Sequence, residues 1–346
     1  MRRRLAGVIL LLAAAASPAW PDSPPGAPQD NVSLPQSVSN YLNPGPGDNS
    51  WVDRTHAYLS RSTLDTVQWF DDFFGDTTRE PTSPAESTVR WRNNFRFGTD
   101  RAFTYRTDLR ANIRLAQLSR KLRIVFSAET FEDALGINRD ATAVQGLPTS
   151  GVLSQSSTEI RYELLHKGRS EADIGAGVLV KLPFVFYTRA RYRYALPLGD
   201  NTLLRFSPNV FWRTRDGLGQ STAIDLEHSL PGDYLLRWAN SETATEATHG
   251  MEWNSEPGVL HALGRGKATT FAVGMSGFTR PAAIVSTYYV LARYRQAILR
   301  EWLFAEVEPV QSWLRGPTGG YSPVSAVTFR FEVFFKGNAG EKAPAR

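Results

Sequence analysis

Between Phe103 and Leu115 apolar and polar positions alternate without a break. Phe103, Tyr105, Leu109, Ala111, Ile113 and Leu115 fall on one face of an extended chain, with Thr107. Thr104, Arg106, Asp108, Arg110, Asn112 and Arg114 fall on the other. About a dozen residues of period-2 pattern is longer than a typical soluble strand and close to the roughly ten tilted residues that cross a bilayer. One copy would also suit a soluble sheet with its arginine face in water. The pattern recurs, however, and predicts fourteen strands between 87 and 335, with twelve or sixteen one misread hairpin away.

Turn chemistry separates these segments at Gly98-Thr99-Asp100, Pro197-Leu198-Gly199-Asp200, Arg215-Asp216-Gly217 and Pro231-Gly232-Asp233. Longer connections are expected at 130–155, 243–248 and 310–323, all on the same side, and short turns on the other. That asymmetry predicts an all-β, antiparallel, up-and-down transmembrane barrel with both termini on the short-turn side. Pro257 interrupts a predicted strand, where a bulge is expected to absorb the missing N–H.

Parity assigns the faces. Trp91, Phe95, Phe97, Leu122, Ile124, Phe126, Tyr192, Tyr194, Met251, Trp253, Phe271, Val273, Met275, Tyr288, Val290 and Tyr294 point outward. The candidate lumen-lining set is Arg90, Arg92, Arg96, Arg106, Asp108, Arg110, Arg114, Arg189, Arg191, Arg193, Arg293, Arg295, Glu306 and Glu308. Arg161, Arg205, Arg330, Glu159, Asp173, Asp225, Glu227 and Glu332 share its parity. An arginine turned to lipid at mid-bilayer costs roughly 2–4 kcal/mol, so this sorting is strongly constrained.

The N-terminal quarter reads differently. Arg2-Arg3-Arg4, the apolar run Leu5–Ala16 and Ser17-Pro18-Ala19 have the form of a cleaved secretory signal over 1–19. A Pro- and Gly-rich leader follows. From Val52 to Phe74 the spacing turns to threes and fours through His56, Leu59, Thr63, Val67 and Phe70, which predicts one amphipathic helix at 52–76. A structural plug and a dock for a periplasmic partner are both open to it. The organisation expected is signal 1–19, periplasmic leader and helix 20–86, barrel 87–335 and tail 336–346.

Composition narrows the function. The formal charge of +5 includes three signal-peptide arginines, leaving the mature chain near +2, so the pI of 9.4 makes no case for nucleic acid. With no cysteine there is no disulfide, thiolate metal site or thiol nucleophile. Aromatics reach 12% with nine Trp, yet mean hydropathy is −0.31, as interleaved faces require. His56, His166, His228, His249 and His261 show no metal-ligand spacing, and Gly264-Arg265-Gly266-Lys267 lacks a phosphate loop's upstream Gly and Ser/Thr. No catalytic residue, metal or cofactor is expected.

The last predicted strand alternates Val327, Phe329, Phe331, Val333 and Phe335 with Thr328, Arg330, Glu332 and Phe334. It resembles the C-terminal insertion signal of Gram-negative outer-membrane barrels, although a tail from Lys336 to Arg346 follows it here. Four further stretches carry a closer resemblance: Trp69–Asp76, Ala190–Tyr194, Leu236–Ser241 and Trp302–Pro309. Over roughly 52–335 the chain is similar to a family of uncharacterised proteobacterial outer-membrane β-barrel proteins. The resemblance implies fold, location in the bacterial outer membrane, lipid contact and insertion by the barrel-assembly machinery. It implies no activity. The function expected is a pore or facilitator for small solutes with weak anion preference. The alternatives are a closed structural or partner-docking barrel and a membrane-embedded hydrolase.

Overall fold

A computed structural model describes residues 70, 73, 86–114, 121–127, 156–180, 183–264, 266–300 and 302–338. The signal segment 1–19, most of the 52–76 segment and the tail from 339 onward lie outside them. Fourteen strands are present: β1 (Glu86–Gly98), β2 (Thr104–Arg114), β3 (Leu122–Ser127), β4 (Ser156–Lys167), β5 (Ser170–Val180), β6 (Val185–Pro197) and β7 (Thr202–Arg213). The second half holds β8 (Gly217–Leu230), β9 (Tyr234–Thr245), β10 (Met251–Gly264), β11 (Lys267–Phe278), β12 (Ile284–Ala297), β13 (Leu303–Arg315) and β14 (Tyr321–Asn338). Each pairs antiparallel with its sequence neighbours. β1 closes on β14 from Glu86↔Asn338 to Gly98↔Ala326. Closure leaves no edge strand, so every ladder has a partner on both sides.

Side chains sort by parity as alternation dictates. On β6, Val185, Tyr187, Arg189 and Arg191 are buried while Phe186, Thr188, Ala190 and Tyr192 are exposed. An isolated soluble sheet would bury the opposite set. Here Phe186 at 58% and Ile160 at 56% exposure stand on the outer wall while Arg161 and Glu227 are sequestered inside.

The end bearing Glu86 and Asn338 is called the terminal end below, and the opposite one the distal end. At the terminal end the β8–β9 hairpin turns through Gly232 and Asp233 at φ of 80° and 61°, which glycine and aspartate tolerate. Two expected long connections are corrected. The segments at 243–248 and 310–323 mostly continue β9, β13 and β14, leaving 246–250 and 316–320 as links. Thr243 pairs with Ser221 and Trp313 with Pro323, so pairing outweighs the local proline and glycine content. The bulge expected at Pro257 is also absent. Pro257 faces outward opposite Trp238, register with β11 is the same at Ser255 and Gly258, and the shift lies further along at Ala262/Gly264.

Candidate functional site in the barrel lumen

The inward faces assemble three ion-pair networks. The largest crosses the seam where the first and last strands meet. Glu332 on β14 accepts from Arg92 Nε at 2.9 Å and Arg295 Nη2 at 2.8 Å, with Arg90 Nε at 3.5 Å. Glu306 on β13 holds Arg293 at 3.2 Å, Arg295 at 3.4 Å and Arg330. Arg293 also donates to Glu308 at 2.6 Å. The chain continues from Arg330 to Asn94 (2.7 Å), from Asn94 to Asp108 (2.9 Å) and from Arg106 to Asp108 (2.6 Å). Side chains of β2, β1, β14, β13 and β12 are thereby linked without interruption.

The second network lies on β4–β6. Glu159 accepts from Arg161 Nε at 3.0 Å, Arg189 Nε at 2.9 Å and the Tyr187 hydroxyl at 3.1 Å. Asp173 faces Arg191 at 3.0 Å and Arg189 at 3.2 Å. Gly175 makes room for this. A Cβ there would stand 2.1 Å from Glu159 Oε1, so only glycine lets the carboxylate lie against the wall between its arginines. The third network is smaller: Glu227 takes Arg205 and Arg237, the latter at 2.7 Å. In a low-dielectric interior a carboxylate shared among several guanidiniums is held tightly, whereas an unshared charge would be costly.

Of the residues expected in the lumen, those with described side chains lie on the strand faces opposite the exposed apolar residues. Arg193 meets Glu171 at 2.7 Å toward the terminal end, and Arg96 meets Asp100 at 2.8 Å near the distal rim. Arg110 stands directly opposite Arg90 in the β1–β2 ladder. Arg114 pairs through its backbone with Arg123, and its side chain lies outside the described residues. Three inward aromatics, Tyr187, Phe211 and Tyr289, were not anticipated. Each is directly opposed by a glycine on the next strand, Gly177, Gly219 and Gly274 respectively. Each ring lies across its glycine and along the wall.

Two phenylalanines, called the stopper below, sit at the terminal mouth. Phe70 and Phe73, both helical and buried, pack among Leu203, Leu235, Leu260 and Ala268, with Ala195, Ala262 and Phe304 around them. All seven collar residues lie near the terminal ends of their strands. Phe73 meets Phe304 edge to face at 5.7 Å, and the Arg295 guanidinium lies 4.2 Å over Phe304. The seam network and the stopper therefore share Arg295. Of the stripe expected on the 52–76 helix, Phe70 is engaged here; Phe74 and the rest lie outside the described residues.

His228 Nδ1 lies 2.8 Å from Thr202 Oγ1, with both side chains at outward positions near the terminal end. Among the described residues no group of three or more His, Asp or Glu could hold a metal ion.

No family model matches the chain. No curated protein matches it either. Among solved structures it is similar to the outer membrane channel DcaP of Acinetobacter baumannii, at 8% identity over 72% of this chain and 96% of that one, with a TM-score of 0.43. It is similar also to a loop L8 deletion mutant of OmpT, an outer membrane protein of Vibrio cholerae (10%, 72% and 100%, TM-score 0.42). A third is OpdK of Pseudomonas aeruginosa with vanillate (8%, 73% and 99%, TM-score 0.40). All three are outer-membrane proteins.

Proposed function

We propose that this chain is an outer-membrane barrel that passes small solutes and is closed at its periplasmic mouth by Phe70 and Phe73. The reading rests on one observation: an apolar collar at the terminal end of the lumen, packed against two phenylalanines that belong to no wall strand. Fourteen strands lie between the eight that fill their interior with side chains and the sixteen that leave a channel. Arginines outnumber carboxylates on the inward faces, which favours a weak anion bias in whatever passes. The bias is weak because most of those arginines already face a carboxylate.

Planar-bilayer conductance tests the reading. Full-length protein should give small or infrequent unitary steps, and the double variant Phe70→Ala, Phe73→Ala larger and more frequent ones. Equal conductance in the two would remove the stopper. Reversal potentials in a salt gradient should move toward cations in Arg106→Glu, Arg110→Glu; no movement would make these residues wall struts.

A closed structural barrel is the second reading, favoured by the continuous seam network. Silence of both the wild-type protein and the stopper variant would support it.

A further inference from the structure

The outer wall of β11–β14 and β1 carries a groove of about 560 Å³. Its floor crosses the strands through Ala292, Pro309 and Val327, between Phe271 on one side and Phe97 on the other. Small side chains beside exposed aromatics leave the hollow. A second row toward the distal end holds Gln311 and Ser325, which would be poor company for lipid if left alone. Ser325 Oγ donates to Gln311 Oε1, and Gln311 Nε2 reaches the Val324 carbonyl at 3.3 Å. With its polar atoms satisfied, the floor is largely hydrocarbon.

The outward column of β13 then runs from Gln311 through Trp313 to the exposed Arg315. From Pro309 in the floor to Arg315, six residues of tilted strand rise about 15 Å, one leaflet's share of the hydrocarbon core. Tyr288, Trp313 and Tyr321 form a ledge at that level: the Tyr288 and Tyr321 rings are 5.2 Å apart, and Arg315 lies 5.9 Å over Tyr321. Two more exposed cations stand on the same sector, Arg101 in 99–103 and Arg280 in 279–283. Arg101 is one tight turn from the groove, its carbonyl accepting from the Gly98 amide at 3.1 Å. No carboxylate belongs to 279–283 or 316–320, and that of Asp100 is held by Arg96. Of the other distal links, 214–216 sets Asp216 beside Arg215 and 246–250 carries Glu246, while 181–184 carries Lys181.

We infer that this groove and its arginine rim bind an anionic, phosphate-headed lipid of the distal leaflet. One acyl chain lies over Ala292, Pro309 and Val327, and the phosphate is held at Arg315 and Arg101. An apolar trough ending in an aromatic ledge and a local excess of arginine matches that amphiphile at both ends. The inference rests on the barrel being embedded in a bilayer.

The test uses full-length protein refolded into vesicles of phosphatidylcholine mixed with phosphatidylglycerol, extracted in mild detergent and weighed by native mass spectrometry. Phosphatidylglycerol should be retained in preference to phosphatidylcholine. Arg315→Gln with Arg101→Gln should weaken that preference by roughly 25-fold, about fivefold per arginine. Ala292→Trp, which fills the trough from the lipid side, should abolish retention of both lipids with the barrel intact. Equal retention of the two lipids, or indifference to both variants, overturns the site while leaving the membrane reading in place. Protein that does not enter the vesicles overturns both.

Discussion

Arg295 on β12 reaches past the whole of β13 to place Nη2 2.8 Å from Oε1 of Glu332 on β14. Because Arg92 and Arg90 converge on the same carboxylate from β1, Glu332 neutralises guanidiniums from both sides of the barrel seam.

Removing that carboxylate should be far more damaging than removing any one arginine. Glu332→Gln leaves one buried and two partly buried cations to repel one another, and breaking a buried ionic cluster from one side costs about 3–5 kcal/mol. Urea unfolding should show a lowered midpoint with an unchanged slope. Arg90→Gln should shift it much less, as Glu332 keeps Arg92 and Arg295.

Gly274→Ala should act on width as well as stability. Its new Cβ would stand 2.2 Å from Cζ of Tyr289, which must swing off the wall and give up its bond to Glu256 at 2.6 Å. Overpacking of this kind costs about 1–3 kcal/mol. The displaced ring should narrow the lumen, so unitary conductance in the stopper-free background should fall. Gly168→Ala, where no atom lies within 4 Å, is the control for crowding, although its φ of 57° adds backbone strain of its own.

Ile174→Arg tests the outer wall. Ile174 is 42% exposed in the middle of β5, at a position read as facing lipid. The change should cost roughly 2–4 kcal/mol in a bilayer. In a water-soluble barrel it would cost almost nothing, so equal stability of variant and parent in vesicles would contradict membrane insertion.

Asp100 supplies an acid-sensitive contact outside the strands. Burial pushes its carboxyl pKa up, but the hydrogen bond and charge of Arg96 outweigh this and hold it below the ordinary carboxylate value. A depressed folded-state pKa contributes stability above the unfolded-state value, lost as pH falls through the folded-state one. Parent and Asp100→Asn should therefore differ modestly at neutral pH and converge in strong acid. A difference that grows on acidification would reverse the assignment.

How far this was legible from sequence varies by element. Facing was, because period 2 is local: Arg191 between Ala190 and Tyr192 declares its side without reference to any partner. The strand count followed for the same reason. Strand ends did not, since Pro309 and Pro323 read as breaks when considered alone, and only pairing across β13 and β14 keeps them in the ladder. Partner identity was equally hidden. That Glu159 serves Arg161, Arg189 and Tyr187 depends on register between three strands and on the bare Gly175 beneath it. The collar could not be foreseen either. Leu203, Leu235 and Leu260 occupy inward parity, where the pattern promised charge, and become intelligible only once Phe70 and Phe73 lie among them.

The seam network has a consequence for how the molecule is made. Arg92 and Glu332 are 240 residues apart, and the strand carrying Glu332 is the last to be synthesised. Until it arrives, Arg90, Arg92 and Arg295 form a crowd of like charges around an open gap. A chain cut short before β14 thus meets electrostatic resistance to sealing itself prematurely, while a finished chain supplies the carboxylate that draws both edges together. The lattice acts as a completeness check, written in charge and read at the moment of closure.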